Sequence, residues 1–164
     1  MSGITTSQTI GPFPHESWRW AFDAAAPAAL TIEGSVFDGG GQPIDDAMLE
    51  AWTFAAAHSK HNQPVAAFCR APTNARGEFS LALSTTPNDG VYVTLFARGV
   101  VKHQFTAAFL EDHETPARSA LLQQVPADRR ATLIARKVAP ERYRWDIRVQ
   151  GSAGNPETVF FDYE

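Results

Sequence analysis

Short segments with strand-like sequence recur along most of this chain, separated by glycine, proline and asparagine. The segment GEFSLALS (Gly77–Ser84) alternates apolar and polar residues with the period of two that is typical of a half-buried strand. The segment VYVTLFARG (Val91–Gly99) is rich in β-branched and aromatic residues, which favour strands. Similar segments are found at Leu30–Asp38, Ala47–Phe54, His103–Leu110, Ala131–Lys137, Arg142–Gly151 and Glu157–Tyr163. The pattern predicts an all-β fold, a β-sandwich of about seven or eight mostly antiparallel strands.

One stretch departs from the strand pattern. In TPARSALLQQV (Thr115–Val125), Thr115 is suited to cap a helix and Pro116 to occupy its first position. The sequence therefore predicts one short helix near residues 115–125. Because domains typically contain roughly 100–200 residues, the 164 residues predict a single domain. We assign residues 28–164 to this β-sandwich domain and residues 1–27 to an N-terminal arm.

Composition and charge exclude several classes of partner. The formal net charge of −4 argues against a nucleic-acid or anionic-membrane surface. No apolar run approaches the roughly 20 residues that span a bilayer, and the N-terminus lacks signal-peptide features. With a single cysteine, Cys69, the chain cannot form an internal disulfide. We therefore expect a cytoplasmic protein with a small, buried cysteine.

A search for catalytic patterns finds no complete set. The chain contains no G-x-S-x-G and no H-x-H, and the pair His58 and His61 fits either a solvated loop or a metal site. The run Gly39–Gly41 lacks the Lys-Ser/Thr of a phosphate loop and favours a hairpin turn. In the same turn, Asp45 and Asp46 are expected to be solvated.

Arg98 follows an apolar strand segment and precedes a glycine. An arginine at a strand end is either a surface charge or a group that reaches into a pocket or an interface. The residues alone leave both interpretations open.

Several motifs, in the same order, resemble one known family. They are TTSQTIGPF (residues 5–13), GSVFDGGGQPIDDAMLEAW (34–52), FCRAPTNARGEF (68–79), VTLFARGVVKHQFT (93–106), VPADRRATLIARK (125–137) and YRWDIRVQGSAGNPETVFFDY (143–163). Together they are similar to the α subunits of protocatechuate 3,4-dioxygenases, which belong to the intradiol ring-cleaving dioxygenases. The resemblance covers nearly the whole chain.

The resemblance implies an enzyme built from two related β-sandwich chains. In this family the β subunit holds Fe(III) through two tyrosines and an H-x-H pair, and the α subunit packs against it and closes the active site. The enzyme would cleave protocatechuate or a related catechol with O₂ to a cis,cis-muconate. A higher hetero-oligomer of αβ pairs is expected, and the arm would pack on the partner.

The iron ligands of the family are missing from this chain according to the resemblance. Aligned ligand positions are occupied by Lys60, Gly90 and Tyr92, and the segment of the remaining tyrosine ligand is reduced to a short turn, Ser84–Gly90. The resemblance thus implies no metal and no catalytic residue in this chain, with Fe(III) bound by the β subunit.

The same resemblance assigns residues that line the partner's substrate pocket. They are Thr9, Gly11, Pro12, Phe13 and Arg98. Phe13 stands where tyrosine is frequent, and Ala107 stands where arginine is frequent in this family. Two other functions stay open: an iron-free, stand-alone binding or scaffold relative, and a metal enzyme that uses His58 and His61.

Overall fold

The computed structural model of the protein describes residues 28–53 and 68–162. These ranges contain nine strands: β1 (Leu30–Phe37), β2 (Met48–Trp52), β3 (Phe68–Pro72), β4 (Glu78–Leu83), β5 (Val91–Phe96), β6 (Gln104–Leu110), β7 (Ile134–Ala139), β8 (Arg142–Arg144) and β9 (Ile147–Arg148). They also contain two short helices, α1 (Thr115–Arg118) and α2 (Ala120–Gln124), and a 3₁₀ turn (Arg130–Leu133). No helix in these ranges is long and apolar enough to cross a membrane.

The strands form two groups of four that share one core. One group has the order β3-β2-β5-β6 and is antiparallel throughout, and the other has the order β7-β8-β1-β4. In the described part of the chain, two parallel residue pairs between β6 and β7 join the groups along the path, and β9 pairs with β1. Ile32 and Leu81 from one group and Leu49 and Leu95 from the other are fully buried in a single apolar cluster. The predicted all-β sandwich, mostly antiparallel, is therefore confirmed.

The helical segment packs against the outer part of the first group of strands. Leu122 of α2 lies in a second apolar cluster with Phe109 of β6 and Leu133 of the 3₁₀ turn. The helix near residues 115–125 is present but interrupted, because Ser119 has an extended backbone (ψ 117°). The Ser119 hydroxyl accepts a hydrogen bond from the amide of Leu122 at 3.3 Å and so caps α2.

Three local predictions differ from the structure, and one strand was not predicted. The segment Ala131–Lys137 begins as the 3₁₀ turn and becomes a strand only at Ile134, and Arg142–Gly151 contains two short strands instead of one. The final segment, Glu157–Tyr163, makes only an isolated bridge between Phe161 and Phe105 within its described part. The edge strand β3, which does not alternate cleanly, was not predicted.

The glycine run makes a tight turn, across which Phe37 and Pro43 form an antiparallel bridge. The Asp38 carboxylate accepts hydrogen bonds from the amides of Gly40 and Gln42, both at 2.8 Å, and Gly41 has a φ of +77°. Beyond the turn, the chain passes from β1 in one group to β2 in the other. The hairpin-turn prediction is confirmed locally, because the amide of Asp38 donates to the carbonyl oxygen of Gln42 and the amide of Ile44 to that of Val36, both at 2.9 Å.

Candidate functional site

The predicted site residues within the described ranges lie at the two ends of β5. Gly90 precedes this strand and Tyr92 is its second residue, whereas Arg98 follows its last residue by two positions. A strand of six residues is roughly 20 Å long. The structure therefore does not bring Arg98 together with Gly90 and Tyr92 in one pocket of this chain.

The space that a side chain at Gly90 would occupy is filled by a neighbouring aromatic ring. A Cβ atom added to Gly90 would lie 2.9 Å from Cε1 of Phe109. Phe109 is fully buried in the cluster that packs below the helices. A larger side chain that could bind a metal from this position would have to displace that ring.

Tyr92 is half-buried, and its hydroxyl donates a hydrogen bond to Oδ2 of Asp89 at 2.9 Å. Its ring packs against the same cluster as Phe109. Fe(III) sites of this kind need several imidazole or anionic oxygen donors together, and a glycine supplies none. Within residues 28–53 and 68–162, no group of three or more His, Cys, Asp and Glu side chains is placed to hold a metal ion. The residues at this end of β5 do not fit an iron centre.

An open cleft of about 600 Å³ lies next to these positions. Its lining includes Asp89, His113, Glu114 and Arg118. Arg118 forms an ion pair with Glu114 at 2.7 Å, and Asp89 accepts the hydrogen bond of Tyr92. Both carboxylates of the cleft are thus engaged by neighbours within the chain.

At the other end of β5, Arg98 pairs with a buried carboxylate. Its Nε atom lies 2.9 Å from Oδ2 of Asp46, whose side chain is only 6% exposed, while the Arg98 side chain is 60% exposed. Neither oxygen of Asp46 receives a hydrogen bond of good geometry from a described residue. Arg98 is therefore the counterion that the described part of the structure provides for Asp46.

The prediction that Asp46 is solvated was wrong, although its neighbour Asp45 is exposed. The chain enters the core at this point, because the next residue, Ala47, is fully buried and its amide donates to the hydroxyl of Thr73 at 2.9 Å. The local turn sequence does not indicate that Ala47 contacts Thr73, which is distant in the chain.

Arg98 lies near the start of an exposed loop that joins β5 to β6. In this loop Gly99 has a φ of +82°, Val101 is 74% exposed, and Lys102 pairs with Asp162 at 2.7 Å. Asp46 contacts Arg98 at Nε, so the exposed guanidinium can still offer Nη donors to another group. Such a fork is suited to a carboxylate.

The remaining predicted residues lie outside the described residues. They are Thr9, Gly11, Pro12, Phe13 and Lys60, together with the histidine pair His58 and His61. The arm of residues 1–27 lies outside them as well. The roles assigned to these residues stay predictions.

Cys69 is expected to react slowly with alkylating agents in the folded chain. It lies on β3, and burial raises the pKa of its thiol to about 11. At pH 8 the thiolate fraction is then about 100-fold smaller than in an ordinary cysteine, and the thiolate is the reactive form. Iodoacetamide labelling should be about 100-fold slower in buffer than in guanidinium chloride, and equal rates would show that the thiol is not buried.

Comparison with known proteins relates the whole chain to two curated sequences. It is 33% identical to the protocatechuate 3,4-dioxygenase alpha chain of Burkholderia cepacia and 30% identical to that of Pseudomonas putida. The alignments cover 96% and 97% of this chain, and 96% of each relative. The first extends over 197 positions although this chain has 164 residues, so that relative contains segments that are absent here. No protein-family model matches the chain.

Comparison with solved structures identifies the same fold at lower identity. One similar structure is the dioxygenase domain of a dioxygenase–carbohydrate-binding protein fusion from the cellulolytic bacterium Streptomyces sp. SirexAA-E. The TM-score is 0.55 at 19% identity, over 77% of this chain and 82% of that domain. At this identity the likeness concerns the fold alone.

Proposed function

Because this chain belongs to the family of protocatechuate 3,4-dioxygenase alpha chains, we propose that it is the non-catalytic α subunit of a heteromeric Fe(III) intradiol dioxygenase. In this proposal a β subunit holds the iron, and this chain shapes the substrate pocket and assembles the hetero-oligomer in the cytoplasm. The complex cleaves protocatechuate or a related catechol with O₂ to a cis,cis-muconate. The chain alone is inactive.

The observation that most supports this assignment is the chemistry at the start of β5. Gly90 has no donor atom and its side-chain space is occupied by Phe109, while the Tyr92 hydroxyl is hydrogen-bonded to Asp89. These are the positions that the family resemblance aligns with the two histidine ligands. A chain with this substitution pattern needs a partner to supply the metal.

Iron bound by the partner would supply the orientation of the catechol and the activation of its ring toward O₂. The residues of this chain bind and position the organic substrate. We assign Arg98 to the substrate carboxylate or to the contact between subunits, because its guanidinium is exposed beyond the Asp46 pair. The arm (residues 1–27) extends onto the partner, where Thr9, Gly11, Pro12 and Phe13 line the pocket. Residues 28–164 form the sandwich domain.

Co-expression with a neighbouring gene product that contains the Y…Y…H-x-H ligand set tests the proposal. We expect a brick-red, iron-containing complex that consumes O₂ when protocatechuate is added. The chain expressed by itself should be colourless and inactive. Iron content by elemental analysis and oxygen uptake are the two measurements, and the partner expressed alone is the control.

Two results would contradict the assignment. Stoichiometric iron in the chain expressed alone would favour a metal site within the chain, such as one around His58 and His61. A colourless monomer that does not associate with the neighbour would favour an iron-free binding or scaffold protein.

A further inference from the structure

Three arginines line one cleft of about 350 Å³ between the first half of β7, the β8–β9 region and the segment near residue 157. They are Arg136, Arg144 and Arg148, and the acidic residue in the lining is Asp146. The formal charge of these four side chains is therefore positive. Nothing in the proposed dioxygenase function uses this cleft.

Two of the arginines are direct neighbours across an antiparallel ladder. Arg136 of β7 is paired in register with Arg144 of β8, and both residues are exposed. Directly opposed residues extend from the same face with Cβ atoms about 4.5–5.5 Å apart, and like charges at that spacing are destabilising. An anion between them would convert this repulsion into attraction.

The acidic side chain in the cleft is already engaged. Oδ1 of Asp146 accepts a hydrogen bond from the amide of Ser35 at 3.0 Å and lies 2.8 Å from Nη2 of Arg144. Within the described residues no carboxylate lies within ion-pair distance of Arg136 or Arg148, since the resolved ion pairs use other cations. The positive charge of these two arginines is thus uncompensated there.

The surroundings hold Arg148 in place, and a further arginine, Arg129, contacts the segment beside the cleft. The guanidinium of Arg148 stacks on the ring of Phe37, with its carbon 4.8 Å from the ring centroid. Arg129 donates from Nη2 to the carbonyl oxygen of Glu157 at 2.8 Å, and Glu157 stands in the chain between two residues that line the cleft. The buried Nε atom of Arg129 has no hydrogen-bond partner among the described residues. A stacked arginine loses little further freedom when it binds an anion.

We propose that this cleft is a binding site for a small multivalent oxyanion, which the forks of Arg136 and Arg148 hold beside Arg144. Arginine forks match the oxygen pairs of carboxylates and phosphates. The volume lies within the range of small-ligand pockets. Polycarboxylates and inorganic phosphate share this chemistry, and the experiment below distinguishes them.

The test is calorimetric titration and thermal unfolding of the full-length chain, in the state in which it purifies, with citrate, succinate or phosphate. Each anion is used at low millimolar concentration, and sodium chloride maintains a constant ionic strength. We expect saturable binding and a higher Tm than in chloride alone. Tighter binding of citrate and succinate would identify a polycarboxylate site, and tighter binding of phosphate would identify a phosphate site.

The variants R136Q and R148Q should each weaken binding about tenfold or more, because each removes a charged hydrogen-bond donor. In chloride alone, R136Q should be at least as stable as the parent, because the substitution removes the positive charge that lies opposite Arg144. The parent should become the more stable of the two when the anion is added. This reversal separates binding from a general loss of stability.

The matched control is R118Q, which removes another exposed arginine outside the cleft. It should bind the anion as the parent does. Binding no stronger than that of chloride, or an equal loss in R118Q and R136Q, would overturn the proposal.

Discussion

Replacing Gly34 by alanine is expected to remove a large part of the folding free energy of the chain. A Cβ atom at this position would overlap the backbone carbonyl oxygen of Trp145 and lie 2.7 Å from Cζ of Phe79. Overpacking a core typically costs about 1–3 kcal/mol, and a clash with backbone costs more because no side-chain rotation relieves it. We expect a loss above about 3 kcal/mol, a large fraction of the roughly 5–15 kcal/mol that stabilises a typical domain.

The neighbouring backbone has little freedom to move away. The amide of Trp145 donates to the carbonyl oxygen of Glu33 at 2.8 Å, so the two segments are bonded directly beside the glycine. Gly34 itself lies in β1, which pairs with β4, β8 and β9. A shift at this position would therefore disturb the ladders that hold one half of the sandwich.

Urea unfolding and the yield of soluble protein measure this effect. The control is G40A, because a Cβ atom at Gly40 would meet its nearest atom, Oδ1 of Asp38, only at 3.4 Å. We expect G40A to change stability by less than about 1 kcal/mol. A G34A variant with the unfolding midpoint of the parent would show that the β1 backbone is not packed as described.

The sequence predicted strands well where alternation reflects a buried face. In β4, the residues Phe79, Leu81 and Leu83 are buried and those between them are exposed, as the period of two predicts. The pattern was insufficient for Glu157–Tyr163, because an apolar run does not show whether an adjacent strand is available. In this segment the amide of Phe161 donates a hydrogen bond to the carbonyl oxygen of Phe105, and the pairing extends no further in the described residues.

The candidate site was predictable only in part for a related reason. The location of Arg98 at a strand end follows from local sequence, and the structure places it there. Its pairing with Asp46 depends on how β2 and β5 lie beside one another, with Met48 opposite Phe96. Local turn chemistry around Asp46 contains no information on that tertiary register, so its burial was missed.

The variant R98A is expected to lose both stability and substrate affinity, for separate reasons. Removing the guanidinium leaves the buried Asp46 carboxylate without its counterion. An unsatisfied buried group costs about 1–3 kcal/mol, and we expect the lower half of that range because Arg98 is exposed and its charge is screened by water. In the dioxygenase complex, KM for the carboxylate substrate should rise more than iron content falls.

The double variant D46N/R98A separates the two effects. The amide of asparagine has no charge to be left unpaired, so the double variant should recover part of the stability lost in R98A. If Arg98 contacts the substrate carboxylate, the KM of the double variant should nevertheless remain as high as that of R98A. The single variant D46N, which keeps the guanidinium, should show a smaller rise in KM and so indicates how much Asp46 contributes to positioning. Recovery of the parental KM in D46N/R98A would mean that Arg98 serves only to neutralise Asp46, and unchanged kinetics in R98A would remove Arg98 from the site altogether.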